Sequence, residues 1–537
     1  MTSLVPRKRY TDEELRKLYP EGLELQLVQV LMRHGERTPV SARFQNAGLK
    51  PFWPYCSSVR HMKSVILNSP SGAGVDGAVD TLEWRRRLET FGDTNDEPVV
   101  ARGPDGQLDD ICDLGSLTDL GRKSTYDLGS RLRHLYVDRL RFLPPTLTSA
   151  ESFYLRSTPV PRALESLHQT FSALYPPSAR QPGPDGRFPA PTVLVRTPAD
   201  ETLYPNDGNC RRFAALSRAF AQRAADRWNA TPDMEYLSRV YGKWMSPESG
   251  GRVAVDSRPR LSGIMDTVNA TLAHGPQTRL PSEFYDEKAR EIMEKIAVEE
   301  WFAGYKESRE YRMLGIGGLL GDIVGRMVGS VEQHRKGEGS GDGGEQEPAA
   351  HALLKRSGQA AQSGNIKFGL SGCHDTTLAG VLASLGAYDT DRWPPFTSHI
   401  AIELFRESKG AATPPPRAEE TAGAPERRSW WASLFGQASA ASASSVGGIG
   451  RRPTEELTPA EKGKLDGYYV RIRYNDEPVT VPACRLPGNH LEGDESFCTL
   501  AAFKAVVDKF TPTNWKQQCR MNRDQPALPA EPEWAGY

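Results

Sequence analysis

The chain has 537 residues, more than one core of ordinary size requires, and its 67 basic and 68 acidic side chains leave a net charge of −1. That balance excludes a nucleic-acid binder and confines any positive potential to a local pocket. No run of about 18 apolar residues occurs, the nearest (Leu314 to Gly329) being broken by Asp322 and Arg326, so no transmembrane segment is expected.

In chain order, Met1 to Tyr10 carries Arg7, Lys8 and Arg9 without an apolar stretch, so no secretory signal is expected. Asp12, Glu13 and Glu14 argue against a mitochondrial transit peptide. The first predicted strand is Leu25–Met32, and it runs directly into Arg33-His34-Gly35-Glu36-Arg37-Thr38-Pro39. A histidine at the carboxyl end of a strand lies where α/β sheets place their ligands. Two permanently charged, planar guanidiniums beside it form an anion trap suited to phosphate. Taken alone, Arg-His-Gly could be a solvated surface turn; two further clusters argue against that.

The first of these follows Phe153-Tyr154-Leu155 as Arg156-Ser157-Thr158. A helix then begins near Pro161, with Leu164, Leu167, Phe171 and Leu174 on one apolar face. Arg156, at the strand end, is the candidate third phosphate ligand; Arg162 stands between a supporting role and a solvated helix position. The other cluster is His374-Asp375, after the apolar run Ile366 to Leu370 and before a helix carrying Leu378, Val381, Leu382 and Leu385, with Gly386 as its cap. Asp375 can serve as a helix N-cap, as a proton donor, or as both. Further on, Ile400–Phe405 and Tyr468–Tyr474 read as paired strands, with Asn475-Asp476 as a turn.

Phosphoryl transfer needs an in-line nucleophile and neutralisation of the equatorial oxygens, and little else. His34 would attack phosphorus, with Arg33, Arg37, Arg156 and His374 around the phosphate. Asp375 would protonate the departing alkoxide and later activate water. The arginines supply the positive charge, so no metal and no cofactor is expected.

RHGxRxP, RST and HD, in this order, resemble the three signatures of the histidine acid phosphatases, the larger-capped branch of the histidine phosphatase superfamily. Gly115-Ser116-Leu117-Thr118, Leu203-Tyr204-Pro205-Asn206, His374-Asp375-Thr376-Thr377 and Trp393-Pro394-Pro395-Phe396 are most similar to its lysophosphatidic acid phosphatase (type 6) subfamily. Pro159, where many secreted acid phosphatases carry Asp after RST, favours that subfamily. The resemblance implies an α/β three-layer sandwich of the phosphoglycerate-mutase type, with a mixed, mostly parallel central sheet and an inserted, mostly helical cap. It also implies a monoester substrate, either lysophosphatidic acid or a related lipid or small-molecule ester. A phytase-like pocket for inositol phosphates is the alternative, with Arg211, Arg212, Arg258 and Arg260 as candidate ligands in the cap. A weakly catalytic protein that binds phosphorylated ligands or membranes is the alternative from another class.

The resulting division is an N-terminal tail at 1–20, core at 21–200, cap at 201–332, a flexible linker at 333–364, core at 365–407, a disordered insert at 408–465 and core at 466–537. The insert contains Arg427-Arg428-Ser429-Trp430-Trp431, whose Trp430 and Trp431 fit a peripheral membrane contact. Seven scattered cysteines read as mostly reduced thiols, with a Cys484–Cys498 bridge left open. The expected compartment is the cytoplasm, with the mitochondrion as alternative.

Overall fold

The computed structural model describes residues 2–67, 79–92, 94–184, 186–339, 366–408 and 448–537. Most of the 333–364 linker and of the 408–465 insert, including Trp430 and Trp431, lies outside the described residues.

The central sheet has nine strands: β1 (Leu23–Arg33), β2 (Phe153–Ser157), β3 (Val193–Val195), β4 (Phe368–Cys373), β5 (His399–Glu407), β6 (Tyr468–Tyr474), β7 (Glu477–Val479), β8 (His490–Leu491) and β9 (Asp494–Thr499). Their order is β8-β9-β6-β5-β1-β4-β2-β3, with β7 hairpinned onto β6 through Asn475 and Asp476, both at positive φ. The sheet is mixed, as anticipated, and helices cover both faces. Parallel pairing is confined to β1, β4, β2 and β3, while the other half is antiparallel, so the balance is less parallel than expected. The parallel half carries all three sequence clusters, because parallel neighbours end at the same edge.

Alternation along β1 builds the two faces. Val28, Val30 and Met32 are buried with Leu128 and Leu132 of α2 (Asp119–Arg133) and with Leu167 and Phe171 of α3 (Pro161–Leu174). Leu27 and Leu31 point to the other face, where the long helix Gly318–Gly339, the helix Asp375–Ser384 and the helix Leu500–Asp508 pack. Residues 201–332 hold α4 (Arg211–Trp228), α5 (Pro232–Tyr241), α6 (Leu261–Ala273), α7 (Glu287–Glu307) and most of α8 (Gly318–Gly339); α9 is Asp375–Ser384.

By length and composition the stretch Arg309–Arg335 is apolar enough to cross a membrane. Leu320, Ile323, Met327, Val328 and Val331, however, are buried in the core, and Gln29 of β1 donates to the Ile323 carbonyl and accepts from Arg326 at 2.6 Å. This is a helix packed on the sheet.

Three segments depart from the expected division. Residues 1–20 are not a loose tail: Asp12–Leu18 is a helix (α1) closed by a Thr11/Glu14 capping box, and the Leu4 amide donates to the Phe396 carbonyl. The linker begins inside α8. The insert ends early, since Ile449, Leu457 and Leu465 are buried. Two hairpins outside the main sheet, Met62–Leu67 with Val79–Trp84 and Glu89–Phe91 with Pro98–Val100, had no sequence signal strong enough to assign.

The cysteine expectation is corrected. Six of the seven are paired, as Cys56–Cys112, Cys210–Cys519 and Cys484–Cys498, and the buried Cys373 is free. Partners 56 and 309 residues apart meet only through the tertiary fold, so spacing could not reveal them. Disulfides of this kind persist in oxidising compartments, and the cytoplasmic expectation loses the support it drew from reduced thiols.

Candidate active site

β1 and β4 are parallel neighbours with Arg33 level with Cys373, so the next residues, His34 and His374, leave the sheet side by side. The His34 amide donates to the Cys373 carbonyl (3.1 Å) and the Thr158 amide to the Gly372 carbonyl (3.2 Å), which knits the three clusters together. The imidazole centroids of His34 and His374 lie 5.5 Å apart. Gly35 is required by close approach: a Cβ there would run into the backbone of Gly121 in α2, and a Cβ on Gly121 would run into the backbone of Glu36.

His34 is buried, and its Nδ1 sits 2.9 Å from the Gly35 carbonyl oxygen. A carbonyl can only accept, so Nδ1 carries the proton and Nε2 keeps its lone pair. Burial, then Arg162, Arg37 and Arg33, push the His34 imidazolium well below the ordinary histidine range, so the ring stays neutral in mild acid. His374 is lowered for the same reasons, burial first and Arg162 next, against the opposing pull of Asp375. Its Nε2 lies 3.1 Å from the Thr158 hydroxyl.

Arg33 is buried with Nη2 at 2.8 Å from Asp375 Oδ2; its Nη1 donates to the Pro394 carbonyl, and its guanidinium stacks 4.1 Å from the Phe396 ring. Arg37 donates to the Thr38 carbonyl (3.1 Å) and pairs with Asp266 of α6 (2.8 Å). Arg162, on the first turn of α3, is pushed down to about 10 by burial and by Arg37. Its only direct hydrogen bond among the described residues is a 3.4 Å contact to the Gly115 carbonyl. The buried Nε–H groups of Arg33, Arg37 and Arg162 have no protein acceptor among the described residues. They are donors suited to a tetrahedral oxyanion.

Asp375 is the first residue of α9, and the capping residue is His374, so the N-cap reading of Asp375 does not hold. Burial pushes its carboxyl up, but Arg33, the Trp393 indole N–H (3.0 Å) and Arg37 outweigh that and hold it below the usual carboxylate range.

Arg156 is the one predicted residue that the fold does not bring to this group. Strand alternation sends Leu155 toward α2 and α3 and Arg156 to the opposite face of the sheet. There its Nη2 bonds Glu201 (2.5 Å) and the Thr202 hydroxyl (3.2 Å), and its Nη1 approaches Asp322 of α8 (3.8 Å). The cation that completes the site is Arg162. Its signal in the sequence was its place one turn into the helix that starts at the strand end. Asp266, Trp393 and Phe396 were also missed as site residues; Asp266 lies in a helix with no motif around it.

A cleft of about 310 Å³ opens onto the Arg33, Arg37 and Asp375 side of this group. Arg33, Arg37 and Asp375 line it together with Val40, Met265, Trp301, Trp393 and Phe396, and with Arg43, Arg260 and Asp266.

Residues 24–415 match the profile of the histidine phosphatase superfamily, branch 2. The chain belongs to that family. It is a phosphoric monoester hydrolase of the histidine acid phosphatase type. A Schizosaccharomyces pombe protein named as a probable acid phosphatase is 34% identical over 94% of this chain and 95% of its own length. The human lysophosphatidic acid phosphatase type 6 is 27% identical over 72% of this chain and 76% of its own. Among solved structures, a Hafnia alvei phytase in complex with tartrate aligns over 93% of this chain and 99% of that one, at 12% identity and a TM-score of 0.48.

Proposed function

We propose that this acid phosphatase works through a phosphohistidine on His34 and takes lysophosphatidic acid or a closely related lipid or small monoester. The observation that carries the mechanism is the His34 ring, neutral and proton-free at Nε2, set among three guanidiniums that each keep a donor for phosphate oxygens. The Nε2 lone pair attacks phosphorus, the P–O bond to the alcohol breaks, and Asp375 gives the alkoxide its proton. The resulting carboxylate then takes a proton from the water that hydrolyses the P–N bond and passes it to the departing phosphate, returning His34 neutral and Asp375 ionised.

Before substrate enters, Asp375 is a carboxylate held by Arg33, so the proton must arrive with the substrate. A phosphate monoester has a second pKa of about 6, and below it the monoanion carries that proton. As its oxygens take over the Arg33 donors, Asp375 loses its counter-ion, gains an anionic neighbour and becomes the better base.

The aromatic and aliphatic wall of Val40, Met265, Trp301, Trp393 and Phe396 supports an amphiphilic alcohol. Of the cap arginines considered for inositol phosphates, Arg260 alone lines this cleft. Arg212 is buried against Glu310, Arg211 and Arg258 line other clefts, and Arg260 is paired with Glu300.

His34→Ala should abolish turnover and the acid-labile phosphoenzyme trapped from labelled substrate. Asp375→Asn should slow simple alkyl phosphates far more than nitrophenyl phosphate; equal slowing of both would remove Asp375 as the acid. Comparing lysophosphatidic acid with inositol and sugar phosphates decides the substrate class.

A further inference from the structure

The phosphate-binding end of the cleft contains an anion of the protein's own. Asp266, in the middle of α6, reaches Arg37 with Oδ1 (2.8 Å), while its Oδ2 takes Arg43 (3.3 Å) and the Val40 amide (3.2 Å). Its side chain is 14% exposed and that of Arg37 is 9%, so the pair is largely desolvated and its charges are felt strongly at the neighbouring phosphate position. A cap carboxylate thus sits on an arginine of the RHGxRxP motif.

The charges around the phosphate position can be counted. Arg33, Arg37, Arg43 and Arg162 are cationic, Asp375 and Asp266 are anionic, and both imidazoles are neutral. The surplus is two positive charges, no more than a single phosphate group can neutralise. Without Asp266 it would be three. The next cation outward, Arg260, is already matched by Glu300 at 2.5 Å, and the remaining wall is uncharged: aromatic or aliphatic except for Ser262, Asn269 and Thr376. A second phosphate on the alcohol would therefore meet the Asp266 carboxylate or an uncharged wall, with no unmatched cation beside it among the described residues that line the cleft.

We infer that Asp266 is a specificity-determining residue: it limits the cleft to one phosphate and selects monoesters whose alcohol is apolar or uncharged over alcohols bearing further phosphates. This rests on the monoesterase reading of the same site and adds the residue that decides between its substrate classes. Asp266 is not a catalytic residue, since its contacts are to Arg37, Arg43 and backbone and not to the histidine pair or Asp375.

The test uses the full chain and the variants Asp266→Asn, Asp266→Ser and Asp266→Glu. Equilibrium binding of orthophosphate and of pyrophosphate, which carries more negative charge, is measured by calorimetry at low and high salt. In parallel, kcat and KM are measured for nitrophenyl phosphate and for an alkyl bisphosphate. In the Asn and Ser variants the preference for pyrophosphate over orthophosphate should rise at least tenfold at low salt and less at high salt. The bisphosphate-to-monophosphate ratio of kcat/KM should rise with it, mainly through KM, and Asp266→Glu should keep the parental ratios.

Unchanged ratios, or equal losses for all ligands, would overturn the inference and leave Asp266 a strut between α6 and Arg37. So would failure of both neutral variants to fold. A parent that hydrolyses neither ester while the binding ratio still shifts would refute the monoesterase reading and leave the role of Asp266 standing.

Discussion

Arg156 and Arg162 stand six residues apart, one on a strand and the other on the helix that follows it, and should differ completely in effect. Arg162→Ala removes one phosphate donor, for which losses of about 10²–10³ in rate are typical of oxyanion-stabilising groups. It also removes the cation that, after burial, most lowers the proton affinity of both His34 and His374. The acidic limb of the pH–rate profile, where His34 becomes protonated, should therefore move to higher pH. The fold should lose little, about 1 kcal/mol or less, because among the described residues the side chain holds only one long hydrogen bond, to Gly115. Arg156→Ala does the reverse. It leaves Glu201, fully buried, without its guanidinium, a loss of about 3–5 kcal/mol in stability. Where that variant remains folded, kcat/KM should stay near the parent. Replacing the pair together, Arg156→Leu with Glu201→Leu, should restore most of the stability without restoring or removing activity. Melting curves and kcat/KM for nitrophenyl phosphate across pH 3–8, a range of about five units, separate the effects. If folded Arg156→Ala loses as much activity as Arg162→Ala, the assignment of Arg162 to the phosphate site is wrong.

Three further outcomes follow from the same structure. The rate should fall on the alkaline side near the second pKa of the substrate phosphate, about 6, and this limb should track esters of different phosphate pKa while the enzyme is unchanged. On the acid side, activity should persist well below the ordinary histidine pKa, because the lowered His34 keeps its lone pair there. Gly121→Ala, in a helix remote from the motif in sequence, should cost turnover and stability together, since its Cβ would strike the Glu36 backbone; normal kinetics in this variant would show that the α2–motif approach is not needed. Reductant should lower the melting temperature, and Cys210→Ser/Cys519→Ser should account for most of the shift. That bridge ties α4 to the C-terminal segment over 309 residues, and a structural disulfide contributes about 2–4 kcal/mol.

The sequence by itself determined the parts whose chemistry is local. The apolar run Leu25–Met32 before Arg33-His34 placed a histidine at a strand end, and Pro161, Leu378 and Asn475-Asp476 marked two helices and a turn where they stand. A motif next to a strand end is legible because both the strand and the motif lie within a few residues. What the strand does with a side chain is another matter: period-2 alternation allows two faces, and only the packed sheet decided that Arg156 meets Glu201 and Asp322 while Arg162 joins the histidines. The same holds for Arg471 and Arg473, which alternation on β6 would put in water; both are buried, clamping Glu403. Asp266, Trp393 and the disulfide partners come from segments tens to hundreds of residues away. Charge pairing and sulfur pairing depend on distance in space, and separation along a chain that folds back on itself does not report that distance.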